Sequence, residues 1–108
     1  MKLLTKEMKK LPKGNESPEK DIKEVVVKFK FFCPWNSWTW YPVEYYRDDV
    51  FFGLVDGDYT ELGSFSIDEM ESIEGPFGMK IERDLYFKPT KIKDLKLQGI
   101  GREYFLNG

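Results

Sequence analysis

A chain of 108 residues is one domain, just long enough for a single hydrophobic core. With 17 Lys and Arg against 19 Asp and Glu, its net charge of −2 argues against a protein that binds nucleic acid through the phosphate backbone, and it falls far short of a protein that imitates DNA by charge alone. Any electrostatic function must therefore come from local placement of charge, while the 17% aromatic content stands above ordinary usage.

In chain order, "LLTKEMKKLP" puts Leu4, Met8 and Leu11 on one helical face, with Thr5 as N-cap and Pro12 as stop. Residues 13–21 carry Gly, Pro and charge without periodicity and are expected to form a surface loop. "KEVVVKFKFF" alternates, with Val25, Val27, Phe29 and Phe31 on one face of a half-buried strand and Lys28 and Lys30 on the other. After the turn "CPWNSW", a second strand sets Trp38, Trp40, Glu44 and Tyr46 against Thr39, Tyr41, Val43 and Tyr45. Pro42 cannot donate to a ladder, which marks an edge or a bulge. "VFFGLV" is apolar on both faces, as a covered central strand is, and "DGDY" turns it into a fourth strand, "TELGSF". Gly53 and Gly63 interrupt these two strands at a bulge or beneath a crossing ring.

"FSIDEMESIEGP" has the punctuation of a helix: Ser66 and Glu69 as a capping box, Phe65 and Met70 as a staple, Gly75 and Pro76 as a stop. "MKIERDLYF" follows as a fifth strand or extended segment, and "PTKIKDLK" as a final short helical turn. The expected fold is α+β, a single domain over 1–108: an antiparallel meander of four or five strands with two or three short helices packed on it.

The chemistry is sparse. Cys33 is the only cysteine and there is no His, which leaves no disulfide, no zinc set and no usual base for a nucleophile; no catalytic residue, metal or cofactor is assigned. Asp56, Asp58 and Glu61 superficially resemble a calcium loop but lack its length and spacing, and an Asp-Gly hairpin accounts for them. Glu44 beside Trp38 and Trp40 has no second acid with which to act on a glycan. In "IERD", Arg83 lies opposite Glu82 and Asp84, placed to stack on a ring or to fork onto a carboxylate or phosphate. The N-terminus lacks a signal peptide and no run spans a bilayer, so a cytoplasmic location without a membrane partner is expected.

The run "FFCPWNSWTWYPVEYY" carries more rings than one sheet face hides. One face is expected to be core and the other to contact a partner, through Trp38, Trp40, Tyr41, Glu44, Glu82, Arg83 and Asp84.

The blocks "MKLLTKE", "FFCPWNSWTWYPVEY", "FFGLV", "ELGSFS" and "GPFGMKIERDLYFKPT" together resemble a family of small domain-of-unknown-function proteins, often encoded on bacterial plasmids, phages and integrative elements. The chain departs from that pattern at "KGNESPEKDIK". The resemblance implies no reaction but a setting: an accessory protein of a mobile element, acting on a host defence protein or effector complex as an anti-restriction or anti-CRISPR inhibitor. The alternative is a protein associated with single-stranded nucleic acid, its rings stacking on bases beside a strip formed by Lys28, Lys30, Lys88, Lys91, Lys93 and Lys96. A third option is a nucleotide-like molecule held between Trp40 and Arg83.

Because the acids of the Asp-Gly hairpin are explained by turn geometry, a chelator is expected to leave the melting temperature unchanged. A fall of several degrees would reinstate Asp56, Asp58 and Glu61 as a metal site.

Overall fold

The structure is a computed structural model that describes residues 2–13 and 21–106; the expected loop at 13–21 lies, apart from its two end residues, outside them. The chain forms β1 (Val26–Val27), β2 (Phe31–Phe32), β3 (Thr39–Arg47), β4 (Val50–Asp56), β5 (Thr60–Ser66), α1 (Ile67–Ser72), β6 (Glu82–Arg83) and β7 (Thr90–Lys91), with single 3₁₀ turns between them. Five strands make an antiparallel sheet in the order β5-β4-β3-β2-β6, and β1 pairs with β7 in a separate two-stranded ribbon. The domain is richer in strand than the expected two or three helices imply. α1 is the one α-helix among the described residues.

Both faces of the sheet are covered. The first face carries Phe31, Trp40 and Phe51 and packs against Leu3, Met8, Leu11, Ile67, Met70 and Ile81. The second carries Tyr41, Val43 and Leu54 and packs against Val25, Val27, Ile92, Leu95, Leu97 and Phe105. Fully burying a large aliphatic or aromatic side chain stabilises by about 1.5–3 kcal/mol. Two apolar layers on one sheet are how a chain this short gathers enough buried area to fold.

The N-terminal segment is not the expected helix. Only Met8–Lys10 turns, as 3₁₀, with Met8 N donating to Thr5 Oγ1. Seven residues from Thr5 to Leu11 are too few to offset the cost of nucleating an α-helix before Pro12. The segment is instead an arm strapped across the first face. Arg83 Nη1 donates to Lys2 O and Leu3 O at 3.0 and 3.2 Å, Leu3 N donates to Glu71 Oε1 at 3.0 Å, and Tyr45 N donates to Pro12 O at 2.9 Å.

Two expected alternations also break. The strand read over "KEVVVKFKFF" is split: Val25 and Val27 serve the second core and Phe31 the first, so the chain changes faces across Lys28–Lys30. In β3 the pairing runs Pro42 with Gly53, then Glu44 with Phe52, leaving Val43 as an extra residue. Beyond this bulge the faces exchange, so Tyr45 joins Trp40 on the first face and packs on Phe51 with ring centroids 5.1 Å apart. Gly53 sits opposite the bulge, where a Cβ would fall 2.1 Å from Tyr41 O; this is backbone approach, not a crossing ring. The rings that do lie on glycine are Trp38 on Gly57 and Trp35 on Gly75.

The N-cap of α1 appears where the sequence puts it, but the helix ends at Ser72 with Ile73 as C-cap, short of the expected stop at Gly75 and Pro76, which instead open a separate 3₁₀ turn. Ser66 Oγ accepts from Glu69 N at 3.2 Å while donating to Asp49, which also accepts from Asp68 N at 2.9 Å. These bonds hold the Asp49 carboxyl below its ordinary range.

Asp56 ends β4 and is 2% exposed. Its carboxylate accepts from Thr60 Oγ1 at 2.7 Å, Gln98 N at 2.9 Å and Gly99 N at 2.8 Å, tying the C-terminal segment to the β4–β5 hairpin. Hydrogen bonds to a charged group contribute about 1.5–3 kcal/mol each. Asp56→Ala, which strands those donors, is expected to lower the urea-unfolding free energy by about 3 kcal/mol or more; a loss under about 1 kcal/mol would contradict this anchoring role.

Candidate functional site

The seven residues singled out from the sequence do not converge. Arg83, Phe31, Trp40, Val55 and Glu61 form one row of directly paired residues across the sheet. Arg83 and Glu61 thus stand at opposite ends of the sheet, four strand spacings or about 19 Å apart. Trp40 and Tyr41 lie in the first and second cores at 9% and 3% exposure. A ligand clasped between Trp40 and Arg83 has no room, because Phe31 separates them and the Arg83 guanidinium holds the N-terminal arm. Glu44 is half-buried beyond the bulge, where desolvation pushes its carboxyl up. Asp84 Oδ1 accepts from Tyr86 N at 2.9 Å to close a turn, and Glu82 edges a hollow of about 410 Å³ with Leu3, Glu71, Lys80 and Ile81. That hollow mixes both signs of charge, and its Glu71 is already engaged by the N-terminal arm. Cys33 is buried, which pushes its thiol pKa up and away from the reactive thiolate.

Glu82, Arg83 and Asp84 line a shallow hollow with Phe32, Leu85 and Tyr86, and Trp38 is the aromatic residue of the set that is only half-buried. It lines a groove of about 290 Å³ with Val55, Asp58, Glu61, Gly63 and Ser64 among its walls, over β4 and β5 on one face of the sheet. Gly63 leaves the groove open, since a Cβ there would meet nothing within 4 Å. Tyr59, Leu62 and Ile100 stand exposed beside it at 59%, 38% and 64%.

β5 is also the edge of the sheet, with β4 on one side and no strand on the other among the described residues. Its start is partly covered: Ile100 N donates to Asp58 O at 2.8 Å and Thr60 N to Ile100 O at 2.9 Å, a single parallel bridge. Antiparallel residues alternate in the direction of their backbone groups, so Leu62 and Ser64 present N–H and C=O outward as Thr60 does. Natural edge strands are commonly blunted by Lys, Pro or brevity. This one runs seven residues, "TELGSFS", with neither.

The groove itself is acidic, with Asp58 and Glu61 and no Lys or Arg among the residues that line it. Residues 48–79, which build β4, β5, α1 and the turn after it, hold nine of the 19 carboxylates and none of the 17 lysines and arginines. The near-neutral net charge conceals this separation, and a tally by segment would have exposed it. In sequence Asp58 and Glu61 read as hairpin acids and Gly63 as an interruption of a strand; only the strand order puts them, with Tyr59 and Leu62, at the edge of the sheet. The described residues contain no group of three or more acids, Cys or His arranged to hold a metal ion, and no helix long and apolar enough to cross a membrane.

The two tryptophans thus separate. Trp40→Ala is expected to cost about 3–5 kcal/mol of folding free energy, as core aromatic truncations do. Trp38→Ala is expected to cost less than half as much; equal losses in a denaturant titration would place Trp38 in the core as well.

Neither a curated protein nor a solved structure matches the chain. The family described as "Protein of unknown function (DUF2958)" matches residues 2–94, which carry the whole five-stranded sheet, the groove and the ribbon. The chain belongs to the DUF2958 family.

Proposed function

We propose that this protein is a non-enzymatic accessory protein of a mobile genetic element that acts by protein–protein contact, inhibiting a host defence system of the restriction or CRISPR type. The observation that carries the contact mode is the unblunted β5 edge, flanked by exposed Tyr59, Leu62 and Ile100. Beyond Thr60 the outward backbone groups of this edge have no partner strand among the described residues, and an open edge beside exposed apolar side chains is a template for pairing with another chain. The defence setting comes from the family resemblance and from the absence of a nucleophile–base pair in a chain without His.

Stacking on single-stranded nucleic acid is the weaker alternative. Trp38 shares its groove with Asp58 and Glu61, whose charge repels phosphate. In the lysine strip, Lys91 and Lys93 pair with Glu24 at 2.8 and 2.7 Å and hold its carboxyl at about 2, so part of that charge is already compensated.

The test is capture from a bacterial lysate with and without nuclease, joined to phage plating on cells that carry a restriction or CRISPR system. The expected outcome is nuclease-resistant capture of a defence component and a rise in plating efficiency of tenfold or more when the protein is expressed. Capture abolished by nuclease, or unchanged plating on every defended strain, would overturn it.

A further inference from the structure

We infer that the β5 edge receives an extended, basic segment of the partner, which adds a strand to the sheet and lays one Lys or Arg side chain across Gly63 onto Trp38, between Asp58 and Glu61. This rests on the protein-contact reading above and names the chemistry of its partner.

Three independent features meet at this place. The first is backbone: Leu62 and Ser64 offer up to four outward hydrogen-bonding groups, and Ile100 already pairs with the same edge one step earlier. Gly101, in the left-handed region at φ 88°, then carries the chain into the Arg102–Tyr104 turn, and the pairing extends no further along β5. Strand addition to such an edge is a recurrent mode of peptide recognition, in which main-chain bonds give affinity and pockets for alternate side chains give specificity.

The second is shape. A strand added beside β5 lies about 4.8 Å from Gly63 and about 10 Å from Val55, which with Trp38 lines the inner part of the groove. A side chain must cross Gly63 to reach the indole, and the missing Cβ leaves the path open. Short side chains cannot span it, whereas the four-carbon stem of Lys and the longer reach of Arg do.

The third is charge. A cation over an indole is attracted by the ring quadrupole, and Asp58 and Glu61 flank this one on the groove walls. With Asp58 and Glu61 and no Lys or Arg among its lining residues, the groove carries a negative potential that steers a basic segment in and repels an acidic one. A second copy pairing edge to edge would bring two of these acidic ends together, which disfavours self-association.

The probe is the acetylated, amidated peptide Thr-Val-Thr-Arg-Thr-Val-Thr, titrated into the isotope-labelled full chain, with versions carrying Glu or norleucine in place of Arg. The expected result is a selective shift of the Trp38 indole N–H and of the Leu62 and Ser64 amides, with the Arg peptide binding at least tenfold more tightly than the Glu peptide. Gly63→Val, which has room for its side chain, and Glu61→Lys, on an exposed face, are each expected to weaken the Arg peptide tenfold while leaving the melting temperature within a few degrees. Absence of shifts at these three groups at millimolar peptide, equal binding of the Arg and Glu peptides, or perturbation of the same amides by raising protein concentration alone would overturn it. The titration does not need the cellular target. Failure here with capture from lysate intact condemns the edge assignment alone, whereas failed capture condemns the broader function.

Discussion

The close approach of β3 and β4 at Gly53 is the constraint on which the rest of the molecule depends. Pro42 lacks an N–H to give to the ladder, and Val43 is inserted as an extra residue beside it. The two backbones come so close that a side chain at position 53 would collide with Tyr41 O. Because the bulge reverses the faces of β3, Tyr45 rather than Glu44 meets Phe51, and the first core extends to the β3–β4 turn. That turn supplies Asp49, which caps α1, and Tyr45 N of β3 just before it fastens the end of the N-terminal arm. The helix and arm that cover the first face are therefore both positioned by an irregularity in the central strand pair.

The same arrangement decides which surface is left over. With the arm and α1 occupying the first face and the C-terminal segment occupying the second, apolar cover runs out toward β5. At the other end of the sheet, Arg83 is held by the carbonyls of the arm, and β6 is only two residues long. The two edges are thus unlike: one short and strapped, the other longer and without a partner strand beyond Thr60 among the described residues. Cations occur in the arm, the ribbon and the C-terminal segment and are absent from the stretch 48–79.

Much of this was legible in local sequence. Ser66 with its following helix, the Asp-Gly hairpin and the β3–β4–β5 run each depend on neighbours within a few residues, and each appears where those neighbours place it. Pro42 announced an irregularity, though not which residue would be extra. What depends on distant partners was not legible. Arg83 meets carbonyls 80 residues away, and Asp56 meets amides 42 and 43 residues away; neither contact leaves a trace in its own neighbourhood. The alternation through Lys28 and Lys30 looked like one strand because the lysines kept the period while the chain changed faces. Trp40 and Tyr41 were grouped with Trp38 because all three are aromatic, whereas pairing sends two of them into separate cores and leaves the third beside the edge.

The claim that β5 presents a free edge is most directly tested by amide hydrogen exchange of the isolated protein at residue resolution. Glu61, Gly63 and Phe65 donate inward to β4 and should exchange slowly, while Leu62 and Ser64 point outward and should exchange orders of magnitude faster. That alternation is the result expected here. Uniform protection of all five amides would mean that the edge is already covered, and would contradict the account.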